Sequence, residues 1–292
     1  MSYIENYFDI KKNKSLRDYS RSLVLKGLTF KDRFVGIEND LQKNRVQFLY
    51  IHHTFKDEEQ KLERLLNRLL KTHTFVSYSE AVQIIVKGKI DKPYISISSD
   101  DGFKNNLGFA KILNAYNIKA CFFINPAIIG VNDFRVIADY CKNRLNFPPV
   151  EFLNWRDIDL LMSSGHEIGS HTMNHVIMSM TEERILEQEC IESYEIIREK
   201  CGYVRHFAFP YGRFFHFSEL AKKIVFNSGY ITCASAERGC HINDGTIDIP
   251  LDELCIRRDL VVLDRPLDEV FYFLASNSRK CSMSNNFFRF IS

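Results

Sequence analysis

No apolar run near either end of the sequence approaches the ~20 residues that a membrane-spanning helix needs, and the start, Met1 to Tyr7, is polar and acidic. The expectation is therefore a cytoplasmic protein with no membrane span. Nor does one sign of charge dominate: 39 Lys and Arg face 37 Asp and Glu, a formal charge of +2, too little to draw in a polyanion such as nucleic acid. Eight cysteines stand at 121, 141, 190, 201, 233, 240, 255 and 281 without a single C-x-x-C pair. They read as buried thiols rather than as a redox or zinc-ribbon framework. Repeats and low-complexity stretches are missing as well, which argues against arrays and linkers.

What is present is a composition that folds. Hydrophobic residues make up 45% of the 292 and charged residues 26%, the balance of a globular protein able to bury a sizeable core. Residues 1–45 show no clear period and are expected to form an N-terminal extension. Residues 46–292 are expected to form one catalytic domain. Val46 to Ile51 reads as a buried strand delivering His52 and His53, and Asp57 to Lys71 as a helix with Leu62, Leu65, Leu66 and Leu69 on one side.

The alternation then continues. A helix capped by Ser79 leads to a strand, Tyr94 to Ser99, that ends in Asp100-Asp101-Gly102. A helix over about 104–116 and a strand Lys119 to Ile124 follow, then a helix capped by Asn154, the segment His166 to Ser170, and a long helix after Thr181. In that helix Leu186, Cys190, Ser193, Ile197 and Cys201 share one side. His206 to Phe209, a helix from Ser218, and Tyr230 to Cys233 complete the series. Strands separated by helices must run parallel, so the fold class is α/β, a (β/α)7-type partially closed parallel barrel, with an open doubly wound sheet as the competing architecture.

Sites in such folds are assembled just beyond the C-terminal ends of the strands. Asp100 and Asp101 fall there, as do His171, His175 and the turn Pro210-Tyr211-Gly212. Asp-Asp-Gly alone equally describes a polar turn. His171 and His175, four apart, fall on one side of a helical turn and could grip one cation. His166-Glu167-Ile168-Gly169-Ser170 does not fit H-E-x-x-H, because its fifth residue is serine. One Asp with two His makes an N/O donor set for zinc or a similar divalent metal, and leaves coordination open for water and substrate. The second Asp is then free to take a proton.

These residues resemble the polysaccharide deacetylases of the NodB-homology group, carbohydrate esterase family 4. Ile97 to Gly102 is similar to the first motif, T-F-D-D-G; His171 to His175 to the second, H-[ST]-x-x-H; and Phe207 to Gly212 to the third. Tyr50-Ile51-His52-His53 is similar to the opening strand of the poly-N-acetylglucosamine deacetylase subgroup. The resemblance runs from about Val46 to about Leu260.

It implies a metal-dependent carbohydrate N-deacetylase. Asp101, His171 and His175 would hold a divalent metal, zinc first and Co2+, Ni2+ or Mn2+ as alternatives. Asp100 would be the base, the Tyr211 backbone N–H the oxyanion donor, and Pro210, Tyr211 and Gly212 part of the substrate wall. The partner would be an N-acylated carbohydrate, either a polysaccharide or a nucleotide- or lipid-linked intermediate.

Two departures stand out. Ala208 occupies the place of an Arg that orients the base in many members, with Arg257 or Arg258 as replacements, and the late histidine that serves as acid has no obvious counterpart. His53 and His241 are the candidates for it. A deformylase acting on a sugar, and a carbohydrate-binding protein with a degenerate site, are the alternatives. The tail Asn286 to Phe290 is expected to dock on the body.

Overall fold

The computed structural model describes residues 2–10, 23–29 and 37–290. Its strands are β1 (Arg45–Ile51), β2 (Thr74–Phe75), β3 (Pro93–Ser99), β4 (Ala120–Ile124), β5 (Glu167–Ser170), β6 (His206–Ala208), β7 (Thr232–Ala234), β8 (Cys255–Ile256) and β9 (Arg258–Leu260). The sheet path is β8-β7-β6-β5-β4-β3-β1-β9, with β2 pairing β3, and the paired strands are parallel. Only Arg257 separates β8 from β9. The two ends of the path are thus successive stretches of one extended segment, bonded to β7 on one side and to β1 on the other. That segment makes the sheet a nearly closed barrel.

The helices are α1 (Ile37–Leu41), α2 (Glu59–Leu69), α3 (Tyr78–Val86), α4 (Asn106–Ala115), α5 (Phe134–Tyr140), α6 (Trp155–Ser163), α7 (Glu183–Cys201), α8 (Glu219–Asn227) and α9 (Leu267–Arg279). Apart from α3, which packs with the inner cluster, and α5, which joins a third cluster, they pack against the outer face of the sheet. Strand side chains alternate between its two faces: Leu49, Ile97, Phe122 and Ile124 pack outward against Leu62, Leu66, Phe109 and Ile158, while Val46, Phe48, Cys121 and Phe123 pack inward with Tyr78, Val82 and Ile85 of α3. Each fully buried Phe or Leu contributes roughly 1.5–3 kcal/mol by leaving water. A third cluster, Phe55, Phe103, Ile128, Ile137, Val150 and Phe152, joins Tyr3, Ile4, Tyr7 and Ile10 of the N-terminal segment.

The caps show where local signals win and where they lose. Asn154 caps α6 and Ser218 caps α8, each accepting the N–H three residues on. Ser79 does not cap α3, as the sequence suggests; Ser77 does. Ser79 is drawn instead to Glu167 and His206 at the starts of β5 and β6, its Oγ 2.8 Å from His206 Nε2. The tail packs on the body through Phe288, whose ring lies 5.7 Å from that of Phe217. Seven cysteines are buried and Cys281 is partly exposed, all of them free thiols. Among the described residues no helix is long and apolar enough to cross a membrane.

Candidate active site and metal centre

At the C-terminal ends of the strands the barrel opens into a cleft of about 310 Å3, lined by Tyr50, His52, His53, Asp100, Asp101, Phe103, Leu145, Phe147, His171, His175, Phe209, Tyr211, Gly212, Ala236 and Arg258. Asp100, Asp101, His171, His175, Tyr211, Gly212 and His53 therefore converge. Pro210 is buried within its turn, and His241 does not line the cleft. The His241 ring is fully buried between Asn286 Oδ1, 2.9 Å from Nδ1, and the Arg257 N–H, which donates to Nε2 at 3.0 Å.

Asp101 lies two residues beyond the end of β3 and has a left-handed backbone, φ 72. His171 Nε2 and His175 Nε2 each lie 3.6 Å from Asp101 Oδ1. Donor atoms of the three residues lie within 4.8 Å of one another, and all three side chains are buried. Ligands bound to zinc at ~2.0–2.2 Å in a tetrahedron sit roughly 3.3–3.6 Å apart, so the spacing suits one divalent cation.

A second observation agrees. Asp101 Oδ1 is buried without a hydrogen-bond partner, which is costly for a carboxylate unless a cation compensates. Burial, then the Asp100 charge beside it, pushes the Asp101 carboxyl well above the ordinary carboxylate range.

The loop carrying the histidines is held from three directions. The His171 N–H donates to Ile124 O at 2.9 Å, which aligns the loop with β4. Asn125 donates from Nδ2 to the carbonyls of His171 and Thr172. Glu189 of α7 accepts from Asn174 N at 2.7 Å and from Asn174 Nδ2 at 2.8 Å. Thr172 (φ 64) and His175 (φ 56) are left-handed, so the two imidazoles meet across an irregular loop and not, as their spacing suggests, along a helical turn. His171 Nδ1 donates to Ala208 O at 2.6 Å, which fixes the tautomer and aims Nε2 at Asp101.

Asp100 is bound differently. Arg258 Nη1 donates to its Oδ1 at 2.7 Å and Nη2 to its Oδ2 at 2.9 Å. The guanidinium is fully buried, also donates to Ser235 O and Ser98 Oγ, and lies over the rings of Tyr50 and Phe123. Burial alone would raise the Asp100 carboxyl, but Arg258 holds it below its ordinary value. Of the two arginines named from sequence it is Arg258 that points inward; Arg257 donates to Asn285 O and Arg238 O.

His53 Nδ1 lies 3.0 Å from Oε2 of buried Glu58, a residue that sequence reasoning missed. Its signal was faint: an acid five residues after a histidine, in a turn that precedes a helix. The signal for Arg258 was stronger, since an arginine between Cys255-Ile256 and Leu260-Val261 has to find a partner inside the barrel.

Tyr211 (φ 61) and Gly212 (φ 63) form a left-handed turn whose Gly212 O accepts from Ala236 N at 2.8 Å. Tyr211 Oη donates to Arg144 O at 2.9 Å, and its ring lies 4.9 Å from that of His175.

Comparison with known proteins agrees with this geometry. Residues 87–230 match the family model for polysaccharide deacetylase. A chitooligosaccharide deacetylase from Sinorhizobium fredii (strain NBRC 101917 / NGR234) is 33% identical over 81 residues, a stretch covering 27% of this chain and 33% of the relative. The chain thus aligns with about a third of that relative's length.

Among solved structures, IcaB from Ammonifex degensii superposes with a TM-score of 0.62 at 18% identity, covering 80% of this chain and 98% of that one. The Streptococcus pyogenes deacetylase PplD, in complex with acetate, gives 0.61 at 13% identity, covering 79% and 98%. These likenesses establish the shared fold. The family match spans β3 to β6 and takes in the converging Asp100, Asp101, His171 and His175, so residues 87–230 are similar to the polysaccharide deacetylase family in the part of the chain that builds the site.

Proposed function

We propose that the chain is a metal-dependent hydrolase that removes the N-acetyl group from an N-acetylated sugar. One observation supports this most: two adjacent carboxylates with opposite surroundings, Asp101 facing two imidazoles and lacking a hydrogen-bond partner on Oδ1, Asp100 gripped by Arg258. A pair of neighbouring acids driven apart in this way marks a division of labour.

Asp101, His171 and His175 would hold the cation, zinc being the first choice for such a donor set and cobalt, nickel or manganese the alternatives. A divalent cation there supplies Lewis acidity toward the acyl carbonyl and the attacking water. Asp100, kept ionised by Arg258, takes the proton of that water. The Tyr211 N–H donates to the developing oxyanion, a contribution typically of about 3 kcal/mol per donor.

His53, which lines the cleft and is held by Glu58 through Nδ1, gives a proton from Nε2 to the leaving amine. Phe147 and Tyr211, the cleft aromatics with exposed surface, offer apolar faces to the sugar ring. Arg258 also supplies the base-orienting charge whose absence at Ala208 favoured a non-catalytic reading.

The test is direct. The purified protein, loaded in turn with zinc, cobalt, nickel and manganese, is incubated with N-acetylglucosamine oligomers and with an N-acetylated sugar nucleotide, and released acetate is measured. Acetate release that disappears in His171→Ala supports the reading. No acetate with any metal and either substrate contradicts it, and formate released from N-formylated sugars alone would replace it with deformylation.

A further inference from the structure

His53 is gripped at its edge by one part of the chain and along its ring by others. Glu58 takes Nδ1. The Tyr7 ring lies 5.6 Å away at 30°, the Phe147 ring 5.5 Å away at 24°, and the Phe55 ring 4.7 Å away at 40°. Phe55 and Glu58 belong to the turn after β1, but Tyr7 comes from the N-terminal segment, far ahead in sequence.

That segment is fastened to both loops around His53. The N–H groups of Tyr7 and Phe8 donate to Asp57 Oδ1 and Oδ2 at 2.8 and 3.0 Å, and Glu5 pairs with Lys56 at 2.7 Å. Asp57 and Lys56 adjoin Glu58. On the other side, the Ile4 N–H donates to Pro149 O at 3.0 Å, two residues beyond Phe147. The segment therefore ties the Glu58 turn to the Phe147 loop, and Tyr7 lies against the imidazole where the two meet.

The Nδ1 partner of His53 is a side-chain carboxylate, not a backbone carbonyl as for His171, so it can move with the imidazole as the ring turns about its intrinsically broad torsion. A ring so placed points Nε2 at the leaving nitrogen only part of the time, and proton transfer requires hydrogen-bond reach. Near-parallel aromatic neighbours remove that freedom. We propose that Tyr7 is a positioning residue for the leaving-group acid: the N-terminal segment completes the active site by holding the His53 ring in its productive plane. The proposal rests on the reading of His53 as that acid.

The experiment exploits a leaving group that needs no proton. Deacetylation of N-acetylglucosamine oligomers breaks a C–N bond whose amine must be protonated, whereas 4-nitrophenyl acetate breaks a C–O bond and releases a stable phenolate. Tyr7→Ala, and Tyr7→Leu as a variant that keeps apolar bulk for folding, should lower kcat on the oligomers roughly tenfold with KM little changed. Hydrolysis of 4-nitrophenyl acetate should stay at the parent rate, and Tyr7→Phe, which keeps the ring, should behave as the parent.

Equal losses on both substrates, or no loss on the oligomers, overturns the proposal, and so does a Tyr7→Phe variant as slow as Tyr7→Leu. His53→Ala separates the two ideas. If it slows both substrates alike, the acid assignment fails and the role of Tyr7 falls with it. If it selectively slows the oligomers while Tyr7→Leu does not, the acid stands and only the role of Tyr7 is lost.

Discussion

Arg258 binds both oxygens of Asp100, at 2.7 and 2.9 Å, from a position 158 residues further along the chain. The pairing ties the proposed base to the strand segment that closes the barrel, so closure of the fold and ionisation of the base depend on the same contact. A bidentate guanidinium fixes direction as well as charge.

Replacing Arg258 by Lys keeps the charge but loses the fork. We expect kcat/KM to fall tenfold or more, and the acidic limb of its pH profile to move to higher pH, because Arg258 is what holds the Asp100 carboxyl down. A limb that stays in place while the rate falls would mean that Arg258 acts otherwise than on the base. Arg258→Met, which leaves Asp100 buried and unpaired, should also cost about 3–5 kcal/mol of stability, read from urea unfolding.

Gly212 offers a sharper steric test. A Cβ there would lie 2.2 Å from Ala236 Cβ and 2.5 Å from Ala236 N, and φ is +63. Gly212→Ala should therefore displace the Tyr211 turn, destabilise the protein by roughly 1–3 kcal/mol and abolish most activity. Thermal unfolding alongside turnover checks it; parental values for both would show that the turn has room.

The histidine loop depends on Glu189, whose two oxygens take both Asn174 donors. Glu189→Ala should loosen the loop without touching a proposed ligand, weakening metal retention about 10–100-fold, as losses around metal ligands do. Metal release against a competing chelator measures this. Unchanged retention would show that the left-handed conformations of Thr172 and His175 hold without it.

Acid should unfold the protein through buried neutral histidines. Burial, reinforced by Arg45, pushes His73 down to about 3, and burial pushes His241 to about 4. Both take up a proton near pH 6.5 in the unfolded chain, so their contribution is complete above that pH and is lost as pH falls toward the folded values. By the time the pH reaches the folded values, each costs the folded state on the order of a few kcal/mol relative to neutral pH. The urea midpoint should drop between pH 6.5 and 4, less so in His241→Gln. A midpoint constant over that window would contradict the assignment.

Which of these features could be seen in the sequence follows from distance along the chain. Asp100 and Asp101, and His171 and His175, are local groups placed by strand ends, and hydrophobic periodicity marked those strands. The conformation joining the histidines was not legible, since Asn125 and Glu189 impose it from β4 and α7. Ser79 reads as the cap of α3, but Ser77 takes that place because Ser79 is bound by Glu167, 88 residues away.

The closing strands were harder still. β8 and β9 are two and three residues long, too short to carry a period, so Arg258 could be named only beside Arg257. The docking of Tyr7 on His53 left no trace in local sequence, because an aromatic residue in an aperiodic stretch says nothing of its partner.

The division of labour between Asp100 and Asp101 is tested most directly by measuring bound metal and turnover on the same preparations of Asp100→Ala and Asp101→Ala. The account predicts about one equivalent of divalent metal and no turnover in Asp100→Ala, and neither metal nor turnover in Asp101→Ala. An Asp100→Ala protein that deacetylates as fast as the parent, or an Asp101→Ala protein that retains its metal, would contradict it.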